Sequence, residues 1–300
     1  MPEPVKVNVV SYGGVKPGQL IVGNGADGTK TTLFDASTVT SASYRFYQCT
    51  TLTSWSIDLP NLTSGSYMFN GCSSLTSFVS DLTALTNGSN MFNQCSSLTS
   101  FVSDLTALTN GSSMFYGCSS LTSWSVELPN LTTGSYMFHN CTGLASWNTN
   151  LPNLKVGDRM FLSCRQLTSW SANLPKLEDS SFMFMECSSL TSFASDLAAL
   201  KTSAYMFHQC SSLTSFSSDL TALTDGSFMF NGCNLDASSV LQILTSIPDR
   251  AAAGLAAANL HIGKNTNYKE DADVAAMLGT VTPIAAGTYS CKGWTVTITN

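Results

Sequence analysis

The sequence predicts a repeat solenoid: a right-handed superhelix of 23-residue coils, each with one short parallel β-strand and a helical turn, capped at both ends. Three observations predict it. Cys49, Cys72, Cys95, Cys118, Cys141, Cys164, Cys187, Cys210 and Cys233 stand 23 residues apart without insertion or deletion. A Phe lies three residues before each (Phe46 to Phe230), and a Leu lies three after each of the first eight (Leu52 to Leu213). Six after comes an aromatic: Trp55, Phe78, Phe101, Trp124, Trp147, Trp170, Phe193 and Phe216. Each unit carries about seven apolar side chains, too few to enclose a core alone but enough once a neighbour covers each side.

Taken in chain order, residues 1–48 form an N-terminal region. VKVNVV alternates like a strand, KPGQLIVGNGADGTKTTL is turn-rich, and residues 26–48 keep Tyr44, Phe46 and the phase of the repeat but lose its leucines, as expected of a degenerate capping coil. Residues 49–232 are eight full repeats. Within each, the stretch from Leu to the residue after the aromatic (LTSWS, LTSFV) reads as the strand. MFNGCSSL reads as a helical turn, because Phe, Cys and Leu at a spacing of three share an inward face. Gly65, Gly88, Gly111, Gly134, Gly157 and Gly226 punctuate the return loop. Residues 233–300 read as an α/β cap: Asp236 caps a helix bearing Val240, Leu241, Ile243 and Leu244 that stops before Pro248. NLHIG and WTVTIT follow as strands, with DADVAAML between them as a second helix.

Composition narrows the function. At 43% hydrophobic and 11% charged, 300 residues support a core and argue against disorder. No run approaches the roughly 18 apolar residues of a membrane span, and the opening lacks the basic start and apolar stretch of a secretory signal, so no membrane insertion is expected. A net charge of -6 with 13 Lys+Arg offers no footprint for phosphate, so nucleic acid is not an expected partner. Ser and Thr number 79, which suits a weakly charged, hydroxyl-rich exterior.

The unit C-x-x-L-x-x-(W/F)…L-x-x-L…M-F-x-x-C resembles the BspA-like, or Treponema-type, leucine-rich repeat, which is also 23 residues long and carries Phe three before its Cys; the match covers residues 49 to 236. The resemblance implies a leucine-rich-repeat superhelix and an adhesive protein of a bacterial surface or virion, binding rather than catalysing. That family usually places Pro directly after its strand, whereas Pro60, Pro129, Pro152 and Pro175 sit two positions later, which predicts a different turn out of the sheet. GQLIVGNG and the closing GWTVTIT are similar to segments of phage tail-fibre and gut-bacterial repeat proteins.

Chemistry-bearing residues follow the period. Nine cysteines in one core-facing column, with parallel Cβ vectors, read as buried free thiols rather than disulfides, and Cys291 has no evident partner. No metal and no cofactor is expected, since ligand spacings are missing. A second column nine residues after each Cys (Asp58, Asp81, Asp104, Glu127, Asn150, Asn173, Asp196, Asp219) either caps the next turn or recruits calcium between coils; capping is the better supported reading. His139 and His208 share a repeat position three coils apart, about 14 Å at the usual strand spacing, so no shared catalytic site is expected, and the protein is read as no enzyme.

Variation is concentrated beside Met-Phe. On one side stand Tyr44, Tyr67, Asn90, Ser113, Tyr136, Arg159, Phe182, Tyr205 and Phe228; on the other Tyr47, Asn70, Asn93, Tyr116, His139, Leu162, Met185, His208 and Asn231. Ser54 and its equivalents, with Cys+7 residues such as Ser56 and Val79, should line a smooth, uncharged sheet face. The candidate binding residues are therefore Tyr44, Tyr47, Tyr67, Asn70, Asn93, Tyr116, Tyr136, His139, Tyr205 and His208, types that give contact area and hydrogen bonds at low entropic cost. The competing reading is that these positions drift while their rings cover neighbouring coils. The expected partner is a cell-surface glycan or protein, for a bacterial adhesin or phage receptor-binding protein; homo-oligomer or virion assembly are further options. The expected location is extracellular, at a cell surface or on a virion. The alternative is a structural spacer or decoration protein.

Overall fold

The computed structural model describes residues 9–10, 19–24, 30–254, 256, 258–262, 283–285, 288–292 and 294–298. Near the N-terminus β1 (Val9–Val10), β2 (Gln19–Asn24) and β3 (Lys30–Asp35) form an antiparallel sheet in chain order. The stretch expected to be turn-rich thus contains a hairpin, and it withdraws residues 30–35 from the capping coil. From Ser41 on the coil is in phase: Ser41 bridges Ser64 in parallel, and Phe46 N donates to Met68 O at 2.8 Å.

Eight short strands then recur in register: β4 (Ser54–Trp55), β5 (Ser77–Val79), β6 (Ser100–Val102), β7 (Ser123–Trp124), β8 (Ser146–Trp147), β9 (Ser169–Trp170), β10 (Ser192–Ala194) and β11 (Ser215–Ser217). Equivalent residues pair in parallel within three sheets, β4 to β6, β7 with β8, and β9 to β11, as in Ser77 with Ser100 and Phe78 with Phe101, so the chain is a parallel β-solenoid with 23-residue coils. The strands are shorter than the Leu-to-aromatic stretch suggests. A second ladder compensates, with single parallel bridges running unbroken from Ser41↔Ser64 to Thr202↔Asp225. Between the two ladders Leu62 N donates to Leu59 O at 3.1 Å, with Pro60 at the second turn position, where its fixed φ fits. Pro129, Pro152 and Pro175 occupy the same turn.

The Met-Phe segment takes a particular form. Met68 N, Asn70 N, Cys72 N and Leu75 N donate to the carbonyls three residues back, while the intervening Tyr67, Phe69 and Gly71 donate to the next coil at 2.7–3.0 Å. The expected helical turn does not form: the segment is a run of tight turns, because every second amide leaves to join coil to coil and Tyr67 and Gly71 take left-handed φ. The hydroxyls do likewise: Thr63, Thr86 and Thr109 each donate to the carbonyl of the residue 23 before it. Much of the Ser and Thr content therefore ties coils together.

Inside, each repeated apolar letter becomes a row. Phe46, Phe69, Phe92 and their successors stack at 5.2–5.6 Å between centroids and meet the Trp/Phe row edge-on. The glycines expected to punctuate the return loop have another role. A Cβ on Gly65, Gly88 or Gly111 would come within 2.7–2.8 Å of the Met Sδ of the next coil, so small size is required there; Ser180 and Ser203 fill the position by donating to that sulfur at 3.1 Å.

At the C-terminal end Asp236 accepts from Ser239 N at 2.7 Å and starts α1 (Ala237–Ser246), as the cap predicts. β12 (Ala258–Ile262), β15 (Trp294–Ile298), β14 (Thr288–Cys291) and β13 (Pro283–Ala285) make a sheet in that order, with β12 and β15 parallel. Phe230 N donates to His261 O at 3.0 Å, which lays β12 on the last coil. Arg250, buried, fastens the end through Ala256 O and Thr224 O and lies 5.1 Å from the Trp294 ring. The helix expected at DADVAAML lies outside the described residues.

Candidate functional site

The positions before Met are set by backbone conformation first. Tyr44, Tyr67, Asn90, Ser113, Tyr136, Arg159, Phe182, Tyr205 and Phe228 all have φ of 54–60°, a left-handed conformation that L-residues rarely adopt. It turns their amides along the solenoid axis, where Tyr67 N reaches Ser89 O at 3.0 Å and Tyr136 N reaches Asp158 O at 2.9 Å. The side chains consequently stand in one row on the surface.

That row is a stack with a gap. Tyr44 and Tyr67 lie parallel at 4.6 Å. Further on, the Arg159 guanidinium lies 5.3 Å from the Tyr136 ring and 4.2 Å from Phe182, followed by Phe182–Tyr205 and Tyr205–Phe228 at 4.9 Å and Phe228–His261 at 4.1 Å. Between Tyr67 and Tyr136 the row holds only Asn90 and Ser113. The second column flanks it: Tyr47 is 5.7 Å from Tyr44, Tyr116 is 4.7 Å and Tyr136 5.7 Å from His139, and His208 is 5.4 Å from Tyr205. Asn93 donates to Asn90 Oδ1 at 2.9 Å, and Asn70 is half-buried beside them in the same column.

The structure therefore brings Tyr116, Tyr136 and His139 into one cluster next to Asn93, while Tyr44, Tyr47 and Tyr67 form a second and Tyr205 with His208 a third. Apart from Tyr44, 56% exposed, these rings are half-buried. Burial lowers the His139 and His208 pKa values, with Arg159 adding to the shift at His139 and Glu186 opposing it at both. The Nδ1 atom of each is buried without a hydrogen-bond partner.

The other columns act within the fold. All ten cysteines are free and buried. Each thiol from Cys72 to Cys233 that follows a full coil donates to the carbonyl of the Phe 26 residues earlier, for example Cys72 to Phe46 O at 3.1 Å and Cys118 to Phe92 O at 3.2 Å. Burial pushes the Cys95 thiol up to about 12 and Cys118 and Cys164 well above the ordinary range, which disfavours the thiolate form that nucleophilic attack or metal ligation requires. The acidic column caps: Asp58 Oδ1 accepts Asp81 N, Asp81 accepts Thr83 N, Asp104 accepts Thr106 N and Asp196 accepts Ala198 N. No group of three His, Cys, Asp or Glu gathers among the described residues. No helix among them is long and apolar enough to cross a membrane. The sheet face is not uniformly smooth: Val79 and Val102 are 46% and 56% exposed.

The family described as BspA type Leucine rich repeat region matches residues 39–168 and 134–256, in six copies. Among solved structures, a leucine-rich repeat protein from Eubacterium ventriosum is 21% identical over 72% of this chain and 50% of its own, with a TM-score of 0.44; the chain thus spans half of that protein. One from Bacteroides ovatus is 17% identical over 87% of this chain and 94% of its own (TM-score 0.34). A leucine rich cell surface protein from Faecalibacterium prausnitzii is 14% identical over 95% and 87% (TM-score 0.37). No curated protein matches.

Proposed function

Since the chain belongs to the BspA-type leucine-rich repeat family, we propose that it is a non-catalytic recognition protein that binds a cell-surface glycan or protein through the row beside Met-Phe. One observation carries the reading: the stacked row is interrupted at Asn90 and Ser113, and the interruption is flanked by Tyr67, Asn93, Tyr116, Tyr136 and His139. Ring faces next to amides and hydroxyls suit a ligand that offers both apolar C–H surface and hydrogen bonds, and such side chains contribute contact at low entropic cost. In this reading residues 49–232 carry the surface, residues 1–48 and 233–300 close the ends, and the protein works at a cell surface or on a virion. A phage receptor-binding role is the narrower form and rests on residues 18–25 and 293–299 alone.

The test is retention on cell-envelope preparations and on a glycan array, comparing the full chain with the triple variant Tyr116→Ser, Tyr136→Ser, His139→Ser. Loss of retention with an unchanged circular dichroism spectrum supports the row. Equal retention removes it. A chain that retains nothing from either source is the spacer, the reading favoured by the near-identity of units 72–94 and 95–117.

A further inference from the structure

A second surface lies away from that row, where two neighbouring coils lack a strand pair. β6 pairs with β5 and β7 with β8, but no bridge joins Ser100–Val102 to Ser123–Trp124. On the opposite side the same coils stay joined, with Ser113 N to Ser135 O and Phe115 N to Met137 O both at 2.8 Å, and Asn110 bridging Thr133. On the strand side Phe101 still stacks on Trp124 at 5.6 Å, but no strand pair closes the surface over them; β8 and β9 lack a pair as well. Here the surface forms a groove of about 420 Å³ lined by Phe101, Val102, Leu105 and Val126, with Asp104 and Glu127 beside them.

Three features set this groove apart. Phe101 is the one member of its aromatic row that is not fully buried, and Val102, 56% exposed, is the most exposed large aliphatic side chain among the described residues. Ser103 Oγ, on the groove wall, is buried without a partner, whereas the equivalent Ser80, Thr149 and Ser195 donate to the preceding coil at 2.8, 3.3 and 2.9 Å. Charge is one-sided as well: between Arg45 and Lys155 the sequence has no Lys or Arg but has Asp58, Asp81, Asp104 and Glu127. None of those four is in an ion pair among the described residues.

We propose that this groove docks a cationic polypeptide segment of another protein, with the aliphatic stem of a Lys or Arg against Val102 and Val126 and its head group between Asp104 and Glu127. Long basic side chains lay their methylenes on apolar surface while the charged head stays in polar surroundings, which an apolar floor beside carboxylates provides. The Ser103 hydroxyl is placed to serve a backbone or head-group atom of the guest. A second copy of this chain is a poor guest, because its net charge is also negative, at -6.

The experiment is fluorescence anisotropy of the full chain with a labelled peptide of alternating Val and Lys, beside a Ser-Lys peptide of equal charge. The Val-Lys peptide should bind, more weakly as salt rises, and the Ser-Lys peptide should bind less well. Asp104→Asn with Glu127→Gln should weaken binding roughly tenfold. Asp58→Asn, two coils away, should change it by less than roughly twofold. The Tyr116, Tyr136 and His139 triple variant should bind as the parent does, so failure here and failure of the recognition row are separable. No binding of the Val-Lys peptide, equal affinity for both peptides, or unchanged affinity in the Asp104/Glu127 double variant would each overturn the proposal.

Discussion

Two residues per coil hold a backbone conformation that ordinarily costs an L-residue about 1–2 kcal/mol. They stand five before and one before each column cysteine: Tyr67 and Gly71, Asn90 and Gln94, Ser113 and Gly117, Tyr136 and Asn140, through to Phe228 and Gly232. What over-determines the strain is the bond each gains across the stack, such as Gln48 N to Asn70 O and Gly71 N to Asn93 O, both at 2.7 Å. Where the side chain contributes little, relief should show. Ser113→Gly is expected to raise the unfolding free energy by about 0.5 kcal/mol, read as a higher urea midpoint, the relieved strain being partly offset by the freer unfolded chain. Ser113→Val should lower it by more, since a branched side chain tolerates φ of 54° poorly. The column thiols give a second test at this scale. Buried, hydrogen-bonded and shifted away from the thiolate, they should stay unreactive to a disulfide reagent in the native protein, and all ten should react after unfolding without reductant. Fewer than ten would mean bridges.

Strand length follows one letter. Every coil with Trp in the aromatic row has a two-residue strand, and every coil with Phe has a three-residue one. The indole explains it: Trp55, Trp124, Trp147 and Trp170 Nε1 donate to the carbonyl two residues on, at 2.6–3.0 Å, which bends the chain off the sheet, whereas Phe has no donor. Trp124→Phe should therefore extend β7 to Ser125 and favour pairing with β6, read as slower amide exchange at residues 123–125. Unchanged exchange would detach strand length from the indole. This substitution also marks how far the sequence was legible. The period, the inward rows, the free thiols and the capping role of the acids follow from repetition, because a side chain repeated at one phase must meet its own copy, and the Asp236 cap follows from a local helix-start signal. What repetition hides is how the backbone carries that phase. The left-handed turns escape notice because Tyr, Arg and Phe stand where Gly is expected, although Gly71, Gly117 and Gly232 in the neighbouring column were a signal. Gly65, Gly88 and Gly111 open the turn, as expected, but also make room for Met91, Met114 and Met137, which the sequence does not show. The groove depends on a missing strand pair between Phe101 and Trp124, a three-dimensional gap with no one-letter signature.

For the whole molecule, stability should fall with acid in two stages, because its titrating groups are displaced in known directions. Burial lowers the pKa values of His139, His208 and His261, and His261 also keeps Nδ1 as the acceptor for Phe228 N at 3.1 Å, which only the neutral ring can do. A folded pKa below the unfolded value means that the unfolded chain binds the proton first. The histidine contribution is therefore whole above about pH 6.5 and is lost as pH falls through the depressed folded values. The carboxylates come next. Hydrogen bonds from Thr106 lower Asp104, the Lys201 bond and charge lower Glu178, and bonds from Arg165 and Ser163 lower Glu186; their share is present above about pH 4.5 and disappears below it. Asp158, raised by burial, runs the other way and softens the second stage. A urea midpoint followed from pH 8 to pH 3 should thus decline first below about 6.5 and again below about 4.5. Replacing His139 and His208 by Phe removes two titrating rings and two buried nitrogens that lack partners while keeping rings beside Tyr136 and Tyr205, so the double variant should lose most of the first decline and hold the second. If the first decline persists in full, the acid-sensitive joint is His261 on Phe228, and unfolding begins where β12 meets the last coil rather than along the row.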